Sequence, residues 1–316
     1  MTAISKTSFQ KQIKAVTEPL PGSIAYPTTY KLSVKKKFEG FNIIDFFLTI
    51  VPRSNKEIWH TKIKNQSLLI NGKPANLLST LKGGDITQHN SEPRKEPWIN
   101  DDIKLLYDDE EIMIINKPAP LPMHPSGRFN KNSLTKILTL AFPEEDFKIV
   151  HRLDANTTGV VVLAKNKEIA ESIASQFKNK STQKTYLAKI EGIPSEDYFS
   201  TNTKIGLEKT AGGGRESDCN GIEAFTEFKV LERNVKENNT LLEVKPHTGR
   251  TNQIRLHLAN LNLPIIGDHG YKDRDYFKNN PLTYNDDCLC LHAWKLNFYY
   301  KGEHLTIEAP IPKKFS

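Results

Sequence analysis

Cysteine is scarce in this chain of 316 residues: Cys219, Cys288 and Cys290 are too few, and odd in number, for a disulfide framework. That scarcity predicts a reducing compartment. No apolar run approaches the roughly 20 residues needed to cross a bilayer. The first sixteen residues carry Lys6, Lys11 and Lys14 but no apolar segment of the kind a secretory signal requires. Together these absences predict a cytoplasmic protein with no membrane attachment. Internal repeats and low-complexity tracts are also missing. What remains, 37% hydrophobic and 26% charged, is the composition of an ordinary globular chain. The length suits one large core, or a catalytic domain with a smaller appendage.

The net charge of +7 is unevenly spread. Residues 1–100 hold 15 Lys and Arg against 7 Asp and Glu, whereas residues 101–316 hold 29 against 30. The N-terminal third, with its run Lys35-Lys36-Lys37, therefore carries the positive charge. Such asymmetry suits a module that meets a polyanion, and it equally suits a solvated lysine face.

Pro19, Pro21-Gly22 and Pro27 predict an irregular lead-in over residues 1–30. A small α/β unit is expected over 31–90, with a helix over Phe41 to Val51. A strand at Ser67 to Ile70 should enter an Asn71-Gly72 turn, with another turn and strand at Leu81 to Ile86. Ser91 to Pro97, charged and twice interrupted by proline, reads as a linker. Beyond it, residues 91–316 alternate hairpins with a few helices. Strand pairs are expected at 104–116, at 225–231 with 240–244, and at 289–300 with 305–309. Helices are expected at 167–177 and at 253–261, the latter turning Ile254, Leu258 and Leu261 to the core. The fold class is α+β, with a largely antiparallel mixed sheet.

The chemistry concentrates in His151-Arg152-Leu153-Asp154-Ala155-Asn156-Thr157-Thr158-Gly159, followed by the apolar run Val160 to Ala164. A lone Asp in a polar turn is usually a cap or a turn former. That does not explain an arginine two residues before it and a Thr-Thr-Gly turn starting three residues after. The nine residues resemble the signature of the RluA-type pseudouridine synthases, His-Arg-Leu-Asp-x-x-Thr-Ser-Gly, with Thr158 where serine is usual. Residues 244–257, Val244 to His257, resemble the family's Thr-Gly-Arg-Thr-His-Gln-Ile-Arg-Val-His block. Lys184-Thr185-Tyr186 matches its Lys-x-Tyr block. Asn116-Lys117-Pro118 with His124-Pro125 matches its entry block, Pro120 replacing a glycine. Ser126-Gly127-Arg128-Phe129 resembles the subgroup that includes eukaryotic enzymes acting on uridine 32 of tRNA. Residues 31–90 resemble the α-L RNA-binding module often fused ahead of such domains.

The resemblance implies isomerisation of a uridine in tRNA or rRNA, with RNA as partner, no obligate protein partner, and a monomer. The reaction breaks the N1–C1′ bond, turns the base, and joins C5 to C1′, so no cofactor, redox equivalent or metal is expected. It also implies the roles. Asp154 would be the catalytic carboxylate and Arg255 its charge partner, opposing the rise in pKa that a dry pocket causes. Tyr186 would pack on the base and handle the C5 proton. Arg152 would help to flip the uridine out of its stack. His151, Lys117, Arg250, Asn252 and Gln253 would contact the substrate or shape its site, Asn252 standing where histidine is usual. Hydrolytic glycosidases generally need two carboxylates, one to activate water; the Asp154 motif holds one. The alternatives are an RNA-binding assembly factor built on the same domain, and a uridine hydrolase.

Other groupings are set aside. Gly212-Gly213-Gly214 lacks the Gly-Lys-Ser/Thr of a phosphate-binding loop and reads as a flexible RNA-gripping loop. Cys288, Cys290 and His292 share a strand face but lack zinc-knuckle spacing. His151 and His257 read as structural or RNA-contacting rather than as general bases.

Overall fold

The first element is a helix, α1 (Lys6–Thr17), where an irregular lead-in was expected. The Ser5 side chain caps it by accepting from the Ser8 N–H, and Phe9 and Ile13, four apart, are fully buried on one face. The prolines that suggested irregularity begin only at Pro19, past the helix end at Glu18. The computed structural model describes residues 4–51, 54–208, 214–272 and 289–315. It divides into two compact units, residues 24–96 and residues 1–23 together with 97–316. Residues 1–23 fall in the larger unit because α1 packs into its core, Phe9 stacking on Phe142 at 5.4 Å.

The smaller unit contains β1 (Thr29–Ser33), α2 (Ile43–Ile50), α3 (Lys56–Lys64), β2 (Leu68–Ile70), β3 (Lys73–Pro74) and β4 (Ile86–Asn90). Its sheet runs β1-β4-β2-β3, all neighbours antiparallel. Asn71 and Gly72 both take positive φ, as the tight turn between β2 and β3 requires. The core is aromatic: Phe47 stacks on Trp59 with centroids 4.1 Å apart, and Phe46 lies edge-on to Phe47.

The larger unit continues with β5 (Lys104–Asp108), β6 (Ile112–Lys117), α4 (Leu134–Ala141), β7 (Lys148–Ile149) and β8 (Thr158–Ala164). Next come α5 (Lys167–Lys178), β9 (Gln183–Glu191), β10 (Tyr198–Thr201), β11 (Thr226–Asn234) and β12 (Asn239–Pro246). It closes with α6 (Gln253–Asn260), α7 (His269–Lys272), β13 (Leu291–Tyr300) and β14 (Glu303–Glu308). The sheet order is β10-β11-β12-β9-β13-β8-β6-β5, with β14 on β13 and β7 on β8. The fold is α+β around a mixed, mostly antiparallel sheet. Leu261 is a correction: α6 stops at Asn260, which leaves Leu261 37% exposed while Ile254 and Leu258 are buried.

β8 is buried at every position, because both of its faces are covered. Val161 and Leu163 join the core under α1 and α4, while Val160, Val162 and Ala164 join the core with Ile173 of α5. Its start forms the parallel seam with β13, pairing Thr158 with His292 and Gly159 with Ala293. Gly159 has φ of 119°, and a Cβ there would stand 2.2 Å from the Ala293 carbonyl oxygen. No side chain fits that space, which explains the glycine that closes the Asp154 turn.

Gly159→Ala is therefore expected to cost about 3 kcal/mol or more, from backbone strain and overpacking together. Urea unfolding measures this; a loss below about 1 kcal/mol would show that the seam relaxes more freely than described.

Candidate active site

The Asp154 loop spans the gap between β7 and β8, and alternate side chains anchor it. Val150 and Leu153 are buried, Arg152 is exposed, and Asp154 lies between these extremes. A turn bond from Thr157 N–H to the Asp154 carbonyl closes the loop. The Ala155 carbonyl accepts from the Leu121 N–H at 2.9 Å and from Lys117 Nζ at 3.1 Å. Lys117 is fully buried and also donates to the carbonyls of Pro118 and Leu121, at 2.9 and 3.0 Å. Three carbonyls thus replace water around a buried ammonium. Lys117 ties the end of β6 to the Asp154 loop and does not open onto the pocket.

The Asp154 carboxylate faces Arg255, whose Nη1 lies 3.4 Å from Oδ2. Arg255 gives its closer bonds elsewhere: Nε and Nη2 grip Asp268 at 2.7 and 2.8 Å, in the two-pronged geometry that suits a guanidinium. The Asp268 side chain is 1% exposed. Tyr271 covers the guanidinium face with its ring centroid 5.0 Å from Cζ. Burial works against the Arg255 charge, but the Asp268 bonds and charge outweigh it and raise the pKa, so Arg255 stays cationic.

Asn252 caps α6 in the left-handed conformation, with φ of 57°, which asparagine tolerates better than most residues. Its Oδ1 accepts from Arg255 Nη1 at 3.3 Å, and its Nδ2 donates to the Tyr271 hydroxyl at 3.1 Å. The asparagine at the expected histidine position thus holds the arginine in place.

Tyr186, on β9, lines the pocket beside Asp154, and burial together with the Asp154 charge raises its pKa. Its phenol stays protonated through the neutral range. The pocket holds about 410 Å³ and is lined by His151, Arg152, Asp154, Lys184, Tyr186 and Arg250 among others. Asp154 is the one acid among the described lining residues, so the paired carboxylates of a water-activating glycosidase are not brought together.

Two residues expected to contact substrate line the pocket and also bond to the scaffold. Gln253 is 4% exposed and makes four bonds: Oε1 accepts from the Thr248 hydroxyl and Arg250 N–H, and Nε2 donates to the Phe225 carbonyl and Thr226 hydroxyl. His151 accepts the Val162 N–H on Nε2 at 3.0 Å and stacks on Phe177 at 4.6 Å. Its Nε2 lone pair and one ring face are thereby occupied. Arg250 lines the pocket with Nε bonded to the Glu223 carbonyl, and Arg152 is exposed at the rim.

Asp268, Tyr271 and Lys184 were missed as site residues in the sequence. The only signal for the first two was the Gly267-Asp268 turn with Tyr271 three residues on, an ordinary pattern until the fold brings it to Arg255. Cys288 and Gly212-Gly213 lie outside the described residues; Cys290 and His292 are buried, with His292 Nδ1 bonded to the Thr158 hydroxyl. His257 is also buried, between the Thr226 hydroxyl and the Thr203 carbonyl.

A family model described as RNA pseudouridylate synthase matches residues 111–260. An uncharacterized RNA pseudouridine synthase of Aquifex aeolicus is 32% identical over 303 residues, covering 90% of this chain and 94% of its own. Ribosomal large subunit pseudouridine synthase C of Buchnera aphidicola is 29% identical over 308 residues, covering 92% and 96%. The mitochondrial tRNA pseudouridine(32) synthase of Saccharomyces cerevisiae is 30% identical over 268 residues, covering 83% and 57%. Among solved structures, human RNA pseudouridylate synthase domain containing 1 superposes with a TM-score of 0.55 at 26% identity, covering 70% of this chain and 87% of its own.

Burial, with the nearby Lys184 charge adding to it, lowers the His151 pKa from 6.5 to about 3. The unfolded chain takes up this proton below about 6.5 and the folded chain does not, so stability falls as pH drops through that window. The expected contribution is about 1.4 kcal/mol per pH unit. His151→Asn should show a correspondingly shallower decline in chemical denaturation between about pH 6 and 4. An unchanged slope would place the His151 ring in solvent.

Proposed function

Because the chain belongs to the RluA-type RNA pseudouridine synthase family, we propose that it isomerises a uridine in tRNA to pseudouridine with Asp154 as the catalytic carboxylate. The observation that carries this reading is a single carboxylate, Asp154, held against a cation in a pocket otherwise lined with basic and neutral groups.

Breaking the N1–C1′ bond leaves the base anionic and the sugar electron-poor. Asp154 meets the sugar and, as the one lining acid described, leaves no second carboxylate to activate water. The detached uracil turns so that C5 joins C1′; C5 then gives up its proton and N1 gains one, so the product is an isomer of the substrate. Arg255 orients Asp154, and Asp268 with Asn252 fixes Arg255. Tyr186, lining the pocket beside Asp154, offers its ring as a surface for the base. Arg152, exposed beside the pocket, is placed to fill the stack that the uridine vacates. The smaller basic unit, residues 24–96, adds a second RNA contact.

The tRNA assignment is supported by the Ser126-Gly127-Arg128-Phe129 block and by the similarity to the yeast enzyme named for tRNA uridine 32. The similarity to synthase C, named for the large ribosomal subunit, makes rRNA the second candidate.

Pseudouridine mapping of all tRNA and rRNA from cells lacking the gene tests the assignment. One tRNA site, lost on deletion and restored by the wild-type gene, is the expected result. A lost site confined to rRNA would reassign the substrate, and a complete map with no lost site would contradict the proposal.

A further inference from the structure

Five cations line the pocket without a counter-charge. Arg152, Lys178, Lys180, Lys184 and Arg250 all face it, and among the described residues none has a carboxylate in ion-pair range. Asp154, the one lining acid, is engaged with Arg255. Lys184 differs from the others. It projects from β9 two residues before Tyr186, so the two side chains share one face of the strand. Its Nζ donates to the Thr248 carbonyl at 3.0 Å, leaving two of three ammonium protons for other partners. Gly249 lies alongside, close enough that a Cβ there would be in van der Waals contact with Nζ at 3.7 Å. Arg250 follows directly on the same loop, with one bond to the Glu223 carbonyl and the rest of its fork free for an anion.

We infer that Lys184 and Arg250 form an anion subsite within the pocket that takes a backbone phosphate of the RNA at the target nucleotide. The inference rests on the RNA-modifying function proposed above and adds to it the residue that couples capture of the flipped nucleotide to its charge. A half-buried ammonium beside a guanidinium, with no carboxylate near, is stabilised when a phosphate arrives.

The arrangement has a pH consequence. Burial first, and the Arg250 charge second, lower the free Lys184 pKa to about 8. A bound phosphate favours the charged form, so the complex binds a proton that part of the free enzyme lacks. Affinity is then full below about pH 8 and falls as pH rises through it. The groups facing Lys184 are His151, Arg152 and Asp154 from the loop after β7, Lys178 and Lys180 at the end of α5, Tyr186 on β9, and Arg250 and Arg255 beyond β12. Of these, His151 stays neutral, its pKa lowered to about 3, and Tyr186 stays protonated.

RNA purified from cells lacking the gene serves as the probe, with pseudouridine formation followed against RNA concentration, salt and pH. Lys184→Met is expected to raise the apparent KM about tenfold, the weight of one charge-assisted hydrogen bond. Its kcat should stay within about threefold, and its salt slope should shrink by about 0.7 to 0.9. Lys184→Arg, which keeps its charge at every pH used, should restore KM and abolish the rise in KM between about pH 7 and 9. Inorganic phosphate should compete with RNA on the wild type and less on Lys184→Met; equal competition on both would place the phosphate contact elsewhere. A fall in kcat at unchanged KM would make Lys184 part of the chemistry and overturn the subsite. If wild type turns the RNA over and Lys184→Met keeps both KM and salt slope, the subsite alone fails. If wild type forms no pseudouridine in this RNA, the functional reading fails instead.

Discussion

Arg255 has one guanidinium and two carboxylates competing for it. Asp268, almost without solvent contact, takes the two shorter bonds, and Asp154 receives the remaining edge at 3.4 Å. That inequality sets the character of the site. A carboxylate gripped on both oxygens would have neither free for another partner. Asp154 is oriented by one 3.4 Å contact but not gripped on both oxygens. Asn252 and Tyr271 enclose the same guanidinium, so the left-handed turn at the start of α6 and the short α7 both serve one cation.

The sheet supplies the rigidity that such a balance needs. β8 is packed on both faces, its first residues lie against β13, and Gly159 allows an approach that no side chain permits. Behind the loop, Lys117 binds three carbonyls, one of them Ala155, and His151 caps the Val162 amide. These polar groups are buried and satisfied, so the loop has few alternative positions. Lys117 and His151, which look chemically active in the sequence, thereby hold up the loop that carries Asp154.

Much of this was legible from the sequence, and the failures have physical causes. The Asp154, Tyr186 and Arg255 blocks identified the family, and the hairpin spacing around Lys301-Gly302 identified the closing strands, because both are local patterns. α1 was missed because its apolar face has only Phe9 and Ile13 at the centre and prolines follow close behind. Leu261 was assigned to the core because helical spacing says nothing of where a helix stops. Gln253 and His151 carried no sign in the motif of the bonds they make within the protein; only the fold shows Gln253 bonded at both ends of its amide and His151 bonded through Nε2. Asp268 was invisible for the opposite reason, since nothing near it in sequence hints at a partner thirteen residues back.

The central claim, a proposal, is that one carboxylate, Asp154, carries the isomerisation without water. The most direct measurement is a single-turnover reaction on the identified RNA, comparing wild type with Asp154→Asn and assaying both pseudouridine and free uracil. Wild type should yield pseudouridine with no free uracil, and Asp154→Asn should bind the RNA as tightly and yield neither product. Pseudouridine formed by Asp154→Asn at the wild-type rate, or uracil released by the wild type, would contradict the account.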